Sequence, residues 1–151
     1  IAYIMADEEM IKPMISWLQK VIVSPNCVAE RAVAKYMKDN KLTPHIDKIQ
    51  AFYAPYMDAM LKALESYMPK AIKWSKIEGG IFIWLTCPEH INTDDLFAKA
   101  RDMKISFIPG SKFYPSGHER FNSLRLNFSY PSIEQIDAGV KRLAELLQSM
   151  I

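Results

Sequence analysis

The sequence comes nearest to chemistry at Leu124-Arg125-Leu126-Asn127-Phe128. Alternation puts Leu124, Leu126 and Phe128 on one side of an extended segment and Arg125 and Asn127 on the other, which fixes a guanidinium on a rigid element. The planar fork of an arginine grips a carboxylate through two parallel hydrogen bonds, whereas a lysine offers only a point charge. On this pattern alone, Arg125 either docks an anion or lines a solvated sheet face. Gly79-Gly80 stands just before the apolar run Ile81-Phe82-Ile83-Trp84-Leu85, and reads as a turn or as a close approach of backbone. Two Ser-Lys pairs, Ser75-Lys76 and Ser111-Lys112, supply amines. Cys27 and Cys87 form no Cys-x-x-Cys pair, and His45, His90 and His118 are far apart, so thiol pairing and a zinc or other metal site are not expected.

These residues need elements to hold them. Ile1 to Ala6 reads as a buried strand, and Asp7 as the cap of a helix carrying Met10, Met14, Trp17, Leu18 and Val21, which Pro13 limits to starting near that turn or kinking there. Ser24-Pro25 starts a second helix through Val28, Ala32, Val33 and Tyr36, ended by Asp39-Asn40-Lys41. Thr43-Pro44 launches the longest helical pattern, Ile46, Ile49, Phe52 or Tyr53, Tyr56, Met60, Leu64 and Met68, which stops at Pro69 and should kink at Pro55. Beyond residue 70 the period changes to two. Ile72 with Trp74, Ile81 to Leu85, Ile105 to Ile108 and Leu124 to Phe128 read as four strands, with a helix capped at Thr93-Asp94-Asp95 between the second and third. Ser132 and Gln135 form a capping box for the last helix, whose Ile133, Ile136, Val140, Leu143 and Leu147 make one apolar stripe.

With 151 residues, half of them hydrophobic, the chain can bury a core. The formal charge of +2 is scattered over residues such as Lys12, Arg31, Lys62 and Lys141, which gives no nucleic-acid footprint. No apolar run approaches the roughly 20 residues that span a bilayer, and no signal-peptide pattern opens the chain, so a cytoplasmic protein without membrane partners is expected. An apolar strand at the very first residue would expose a sticky edge, and suggests a piece of a longer protein.

Six segments in order carry a resemblance. They are Ile1-Ala2-Tyr3-Ile4 with Ala6-Asp7-Glu8-Glu9; Ser24-Pro25-Asn26; the long helix; Glu78-Gly79-Gly80-Ile81-Phe82-Ile83-Trp84; Phe107-Ile108-Pro109-Gly110-Ser111-Lys112-Phe113-Tyr114; and Asn122-Ser123-Leu124-Arg125-Leu126-Asn127-Phe128-Ser129. Together they resemble the C-terminal part of the pyridoxal-phosphate-dependent aminotransferases of fold type I, class I/II, the group with aminoadipate and aromatic aminotransferases. The resemblance implies an α/β fold with an α+β small domain: residues 1–43 end the large cofactor domain, 44–69 are a linker helix and 70–151 the small domain. It implies that Arg125 binds the substrate's α-carboxylate, that the backbone of Gly79 and Gly80 approaches the substrate, and that Ser24 and Asn26 stand where a partner subunit's active site is reached, unless they only cap a helix. An intact homodimeric parent would use pyridoxal 5'-phosphate to exchange an amino group between an amino acid and a 2-oxo acid. The cofactor-bearing lysine has no match in this chain, because Lys76 and Lys112 fall in small-domain segments, so the piece alone should be inactive and bind no cofactor covalently. The same domain also occurs behind helix-turn-helix DNA-binding modules, so a ligand-sensing regulator is the alternative.

Overall fold

The structure, a computed structural model, describes residues 1–22, 25–39 and 41–151. The expected cap at Ser24 and the stop at Asn40 lie outside those residues. Two compact units divide the chain, Ile1–Ile49 and Gln50–Ile151.

In the first unit, helix α1 (Glu8–Val21) starts where Asp7 stands, and the Asp7 carbonyl accepts the amides of Met10 and Ile11. The Asp7 side chain makes no cap bond, and α1 runs on through Pro13. Helix α2 (Cys27–Lys38) is capped by Asn26, whose side chain accepts the Ala29 amide at 3.0 Å. The expected strand at Ile1 to Ala6 does not form, and these residues are exposed. An apolar run needs a neighbouring strand to satisfy its backbone, and none pairs with it among the described residues. Neither α1 nor α2 buries a residue, and Met10, Trp17, Leu18 and Val21 lie exposed. Such an amphipathic face in water drives association. Sedimentation of residues 1 to 151 alone should therefore show concentration-dependent oligomers, and a clean monomer with α1 ordered and exposed would contradict this.

Helix α3 (Leu42–Tyr67) begins in the first unit, ends in the second and runs unbroken through Pro55. It starts one residue before Thr43. In the second unit it contributes Met60, Ala63 and Leu64 to the core. The elements that follow are β1 (Lys73–Trp74), β2 (Phe82–Thr86), α4 (Thr93–Asp102), β3 (Ile108–Pro109), a 3-10 turn at Gly110–Phe113, β4 (Ser123–Asn127) and α5 (Ile133–Gln148). The sheet order is β1-β2-β4-β3, with every pair antiparallel. Ile83, Leu85, Leu124 and Leu126 point inward from β2 and β4, and pack in one cluster with Phe128, Leu96 and the α5 stripe Ile136, Val140, Leu143 and Leu147. Each such side chain contributes about 1.5–3 kcal/mol by leaving water. Ile133, expected in that stripe, is 44% exposed because it opens the helix. The capping box forms as expected: the Ser132 hydroxyl accepts the Gln135 amide and the Gln135 side chain accepts the Ser132 amide.

The first, second and fourth strands lie within one residue of their expected ranges, whereas the third strand and the start of α4 need correction. The third strand is only Ile108–Pro109, paired to Arg125 and Leu124. Ile105 and Phe107 are buried through their side chains without joining the ladder, and Pro109, lacking an N–H, suits the sheet edge. Helix α4 is capped by Asn92, not by Thr93: the Asn92 side chain accepts the Asp94 amide at 2.9 Å. Thr93 is the first helical residue, and its hydroxyl donates to the Ser123 carbonyl at 2.7 Å, tying α4 to β4.

Candidate functional site

The outward face of the sheet carries the chemistry. The period of two that buries Leu124 and Leu126 turns Arg125 and Asn127 outward, and the register sets Trp84 opposite Arg125 and Phe82 opposite Asn127. Ile108 stands opposite Arg125 on the other flank. Arg125 is half-buried. Its guanidinium carbon lies 3.9 Å from the centre of the Phe82 ring and 4.6 Å from that of Phe113. Phe113 also meets Trp84 edge-on, with ring centres 5.4 Å apart. Among the described residues no carboxylate forms an ion pair with Arg125. A guanidinium is weakly hydrated and is drawn to aromatic faces, and its N–H donors all lie in its own plane.

Phe113 reaches Arg125 because the 3-10 turn is pressed against the sheet. A Cβ on Gly110 would strike the Ser123 hydroxyl and come within 2.8 Å of the Ser123 carbonyl oxygen, so only glycine permits this approach. The Ser123 hydroxyl is buried beneath it without a hydrogen-bond partner. Ser111 then donates to Asp94 at 2.9 Å, and the Lys112 ammonium lies 3.9 Å from the same carboxylate oxygen, which ties the turn to the start of α4. Sequence reading alone passed over Phe82 and Phe113 as site residues. The signal for Phe82 was its even spacing from Trp84 across from Arg125; Phe113 needed the turn's path, at which Pro109-Gly110 hints.

Gly79 and Gly80 fall elsewhere. They line a cavity of about 290 Å³ with Gln50, Tyr53, Glu78 and Phe128, and Arg125 is not part of that lining. Gly80 has φ +81°, a conformation that costs other residues about 1–2 kcal/mol, whereas a Cβ on Gly79 would meet nothing within 4 Å. The pair is thus a turn whose second residue requires glycine, and it leads directly into β2. The Phe128 amide donates to the Ile81 carbonyl at 3.3 Å, so the turn is pinned beside the end of β4. Asn26 caps α2, and Ser24 lies outside the described residues. Lys76 is exposed in the loop after β1. Cys87 is buried, and burial pushes its thiol up to about 11, which keeps it protonated at neutral pH. No group of His, Cys, Asp and Glu that could hold a metal occurs among the described residues, and no helix there is long and apolar enough to cross a membrane.

The family profile described as "Aminotransferase class I and II" matches residues 1–143. The chain belongs to this family. Among its class I and II relatives, "Aromatic-amino-acid aminotransferase 1" of Thermococcus litoralis is 40% identical over 148 residues, covering 98% of this chain and 35% of the relative. The crystal structure of Pyrococcus horikoshii kynurenine aminotransferase, in complex with PMP, superposes with a TM-score of 0.81 at 36% identity, over 96% of this chain and 36% of that one. An uncharacterized HTH-type transcriptional regulator of Bacillus subtilis, YdfD, is 22% identical, over 99% of this chain and 30% of the relative. The chain thus spans about a third of the length of these relatives, and its helices and small antiparallel sheet have the fold of part of a fold type I aminotransferase.

Proposed function

We propose that this chain is the C-terminal portion of a pyridoxal-phosphate-dependent aminotransferase, in which Arg125 receives the substrate's α-carboxylate. The observation that carries the proposal is a half-buried guanidinium on a paired strand, flanked by two phenylalanine rings and without a carboxylate partner among the described residues. Bidentate docking there would orient the Cα–H bond of an amino acid, and so prepare the exchange of its amino group with a 2-oxo acid. In the intact protein the cofactor supplies the electron sink at that carbon. Of the two Ser-Lys pairs, Lys76 is exposed in a loop and the Lys112 ammonium lies 3.9 Å from an Asp94 carboxylate oxygen, and the resemblance gives neither a cofactor role, so residues outside this chain would hold the group. Residues 1–43 would close the cofactor domain, 44–69 form the linker and 70–151 the small domain, within a cytoplasmic homodimer. The resemblance would have the backbone of Gly79 and Gly80 approach the substrate and would place Ser24 and Asn26 toward the partner subunit, although Gly79 and Gly80 line a cavity that does not include Arg125 and Asn26 caps α2.

The regulator alternative rests on similarity at 22% and 25% identity, against 40% for the aminotransferase, and that difference favours the enzyme. The test begins with the full-length protein. It should transfer an amino group from an aromatic amino acid to a 2-oxo acid, and borohydride reduction with mass mapping should find the cofactor on a lysine outside residues 1 to 151. Residues 1 to 151 alone should show no adduct and no transfer. A stable adduct at Lys76 or Lys112, or a full-length protein that binds DNA and exchanges no amino group, would contradict the proposal.

A further inference from the structure

Arg125 is held by more than its strand. Its guanidinium touches two rings that arrive from opposite flanks of β4: Phe82 from β2 on one side, and Phe113 from the turn that follows β3 on the other. Neither ring is needed for the core, since Phe82 is 40% and Phe113 44% exposed. Phe113 is braced by Trp84, and its turn is fastened by the Gly110–Ser123 contact and by Ser111 to Asp94. Each fastening is local, and together they bring one ring onto one side chain.

We infer that Phe82 and Phe113 are positioning residues for Arg125, a role that rests on Arg125 being the carboxylate arginine. An unsupported arginine has many rotamers and loses that freedom when it grips a ligand. Rings against the guanidinium restrict it beforehand and keep water from it on those sides, while the N–H groups not turned toward a ring stay available to a ligand. The carboxylate then meets a fork already in place. The rings do not touch the carboxylate in this role; they act through Arg125.

The test uses steady-state kinetics of the full-length enzyme with an aromatic amino acid donor. Phe82→Leu and Phe113→Leu should each raise KM by about ten-fold, with kcat changed much less. Phe82→Tyr and Phe113→Tyr keep a ring and should stay close to the parent. In an Arg125→Lys background the leucine substitutions should have little further effect, because the group they position is gone. Unchanged KM in both leucine variants, with unchanged thermal midpoints, would overturn the inference. So would a ten-fold loss that persists in full beside Arg125→Lys, since the rings would then act on the substrate themselves. Should a leucine variant fail to fold, Phe82→Met or Phe113→Met replaces it with the same expectation. If Arg125→Lys alone leaves KM unchanged, the carboxylate reading falls first and this inference with it, a pattern distinct from sensitive Arg125 with silent rings.

Discussion

Arg125→Lys in the full-length protein is expected to lower kcat/KM for an amino acid donor by about thirty-fold to a thousand-fold, the equivalent of roughly 2–4 kcal/mol. Lysine keeps the positive charge, so the loss measures geometry. An ammonium cannot make two parallel hydrogen bonds in one plane, and it gives up the planar cation whose central carbon now lies 3.9 Å from the centre of the Phe82 ring. The carboxylate is then held loosely, and the Cα–H bond leaves the angle that the reaction needs. Asn127→Ala, on the same face of β4 but paired with its own neighbour Ser129, should cost far less. Thermal midpoints separate a collapsed sheet from a lost ligand contact. An unchanged specificity constant in a folded variant would remove Arg125 from the site.

Gly110→Ala should be the most damaging change outside the arginine. The added methyl would collide with the Ser123 hydroxyl and lie 3.0 Å from the Ser123 carbonyl carbon. The hydroxyl can rotate away, but the backbone cannot. Ser123 is paired with Thr86 in β2, and its carbonyl is held by Thr93. The turn must therefore lift, at a cost of about 1–3 kcal/mol, and it carries Phe113 off Arg125. Denaturant melts should show the loss of stability, and kinetics of the full-length protein a raised KM beyond that of Phe113→Leu. Gly139→Ala is the control: it lies within α5 with nothing within 4 Å of the new methyl, and should be neutral or stabilising by about 0.5–1 kcal/mol. Equal stability for the two alanine variants would mean that Gly110 does not pin the turn.

Much of the architecture around Arg125 could be read before any coordinates. Strand alternation at Leu124 to Phe128, the capping box at Ser132 and Gln135, and the three-and-four spacing along α3 are local signals, and each forms where its chemistry places it. The misses share a different cause. Ile1 to Ala6 has the apolarity of a strand, but a strand exists only through a partner, and apolarity does not name one. Ile105 and Phe107 bury their side chains as a strand would, yet hydrogen bonding reaches only Ile108 and Pro109. Asn92 and Thr93 are both good caps, and the choice went to the residue whose neighbour Thr93 was wanted by the Ser123 carbonyl. At the site, Arg125 was legible because its own strand orients it. Phe113 was not, because its place depends on Gly110 packing onto a strand segment that follows it by thirteen residues.

The central claim is that the Arg125 guanidinium takes the substrate's carboxylate, and a crystal structure of the full-length protein with an unreactive carboxylate bound, such as 3-phenylpropionate, tests it most directly. Both carboxylate oxygens should lie in the plane of the Arg125 fork at about 2.7–2.9 Å, with Phe82 and Phe113 still against the guanidinium. A carboxylate bound firmly to another cation, with Arg125 turned to solvent, would contradict it.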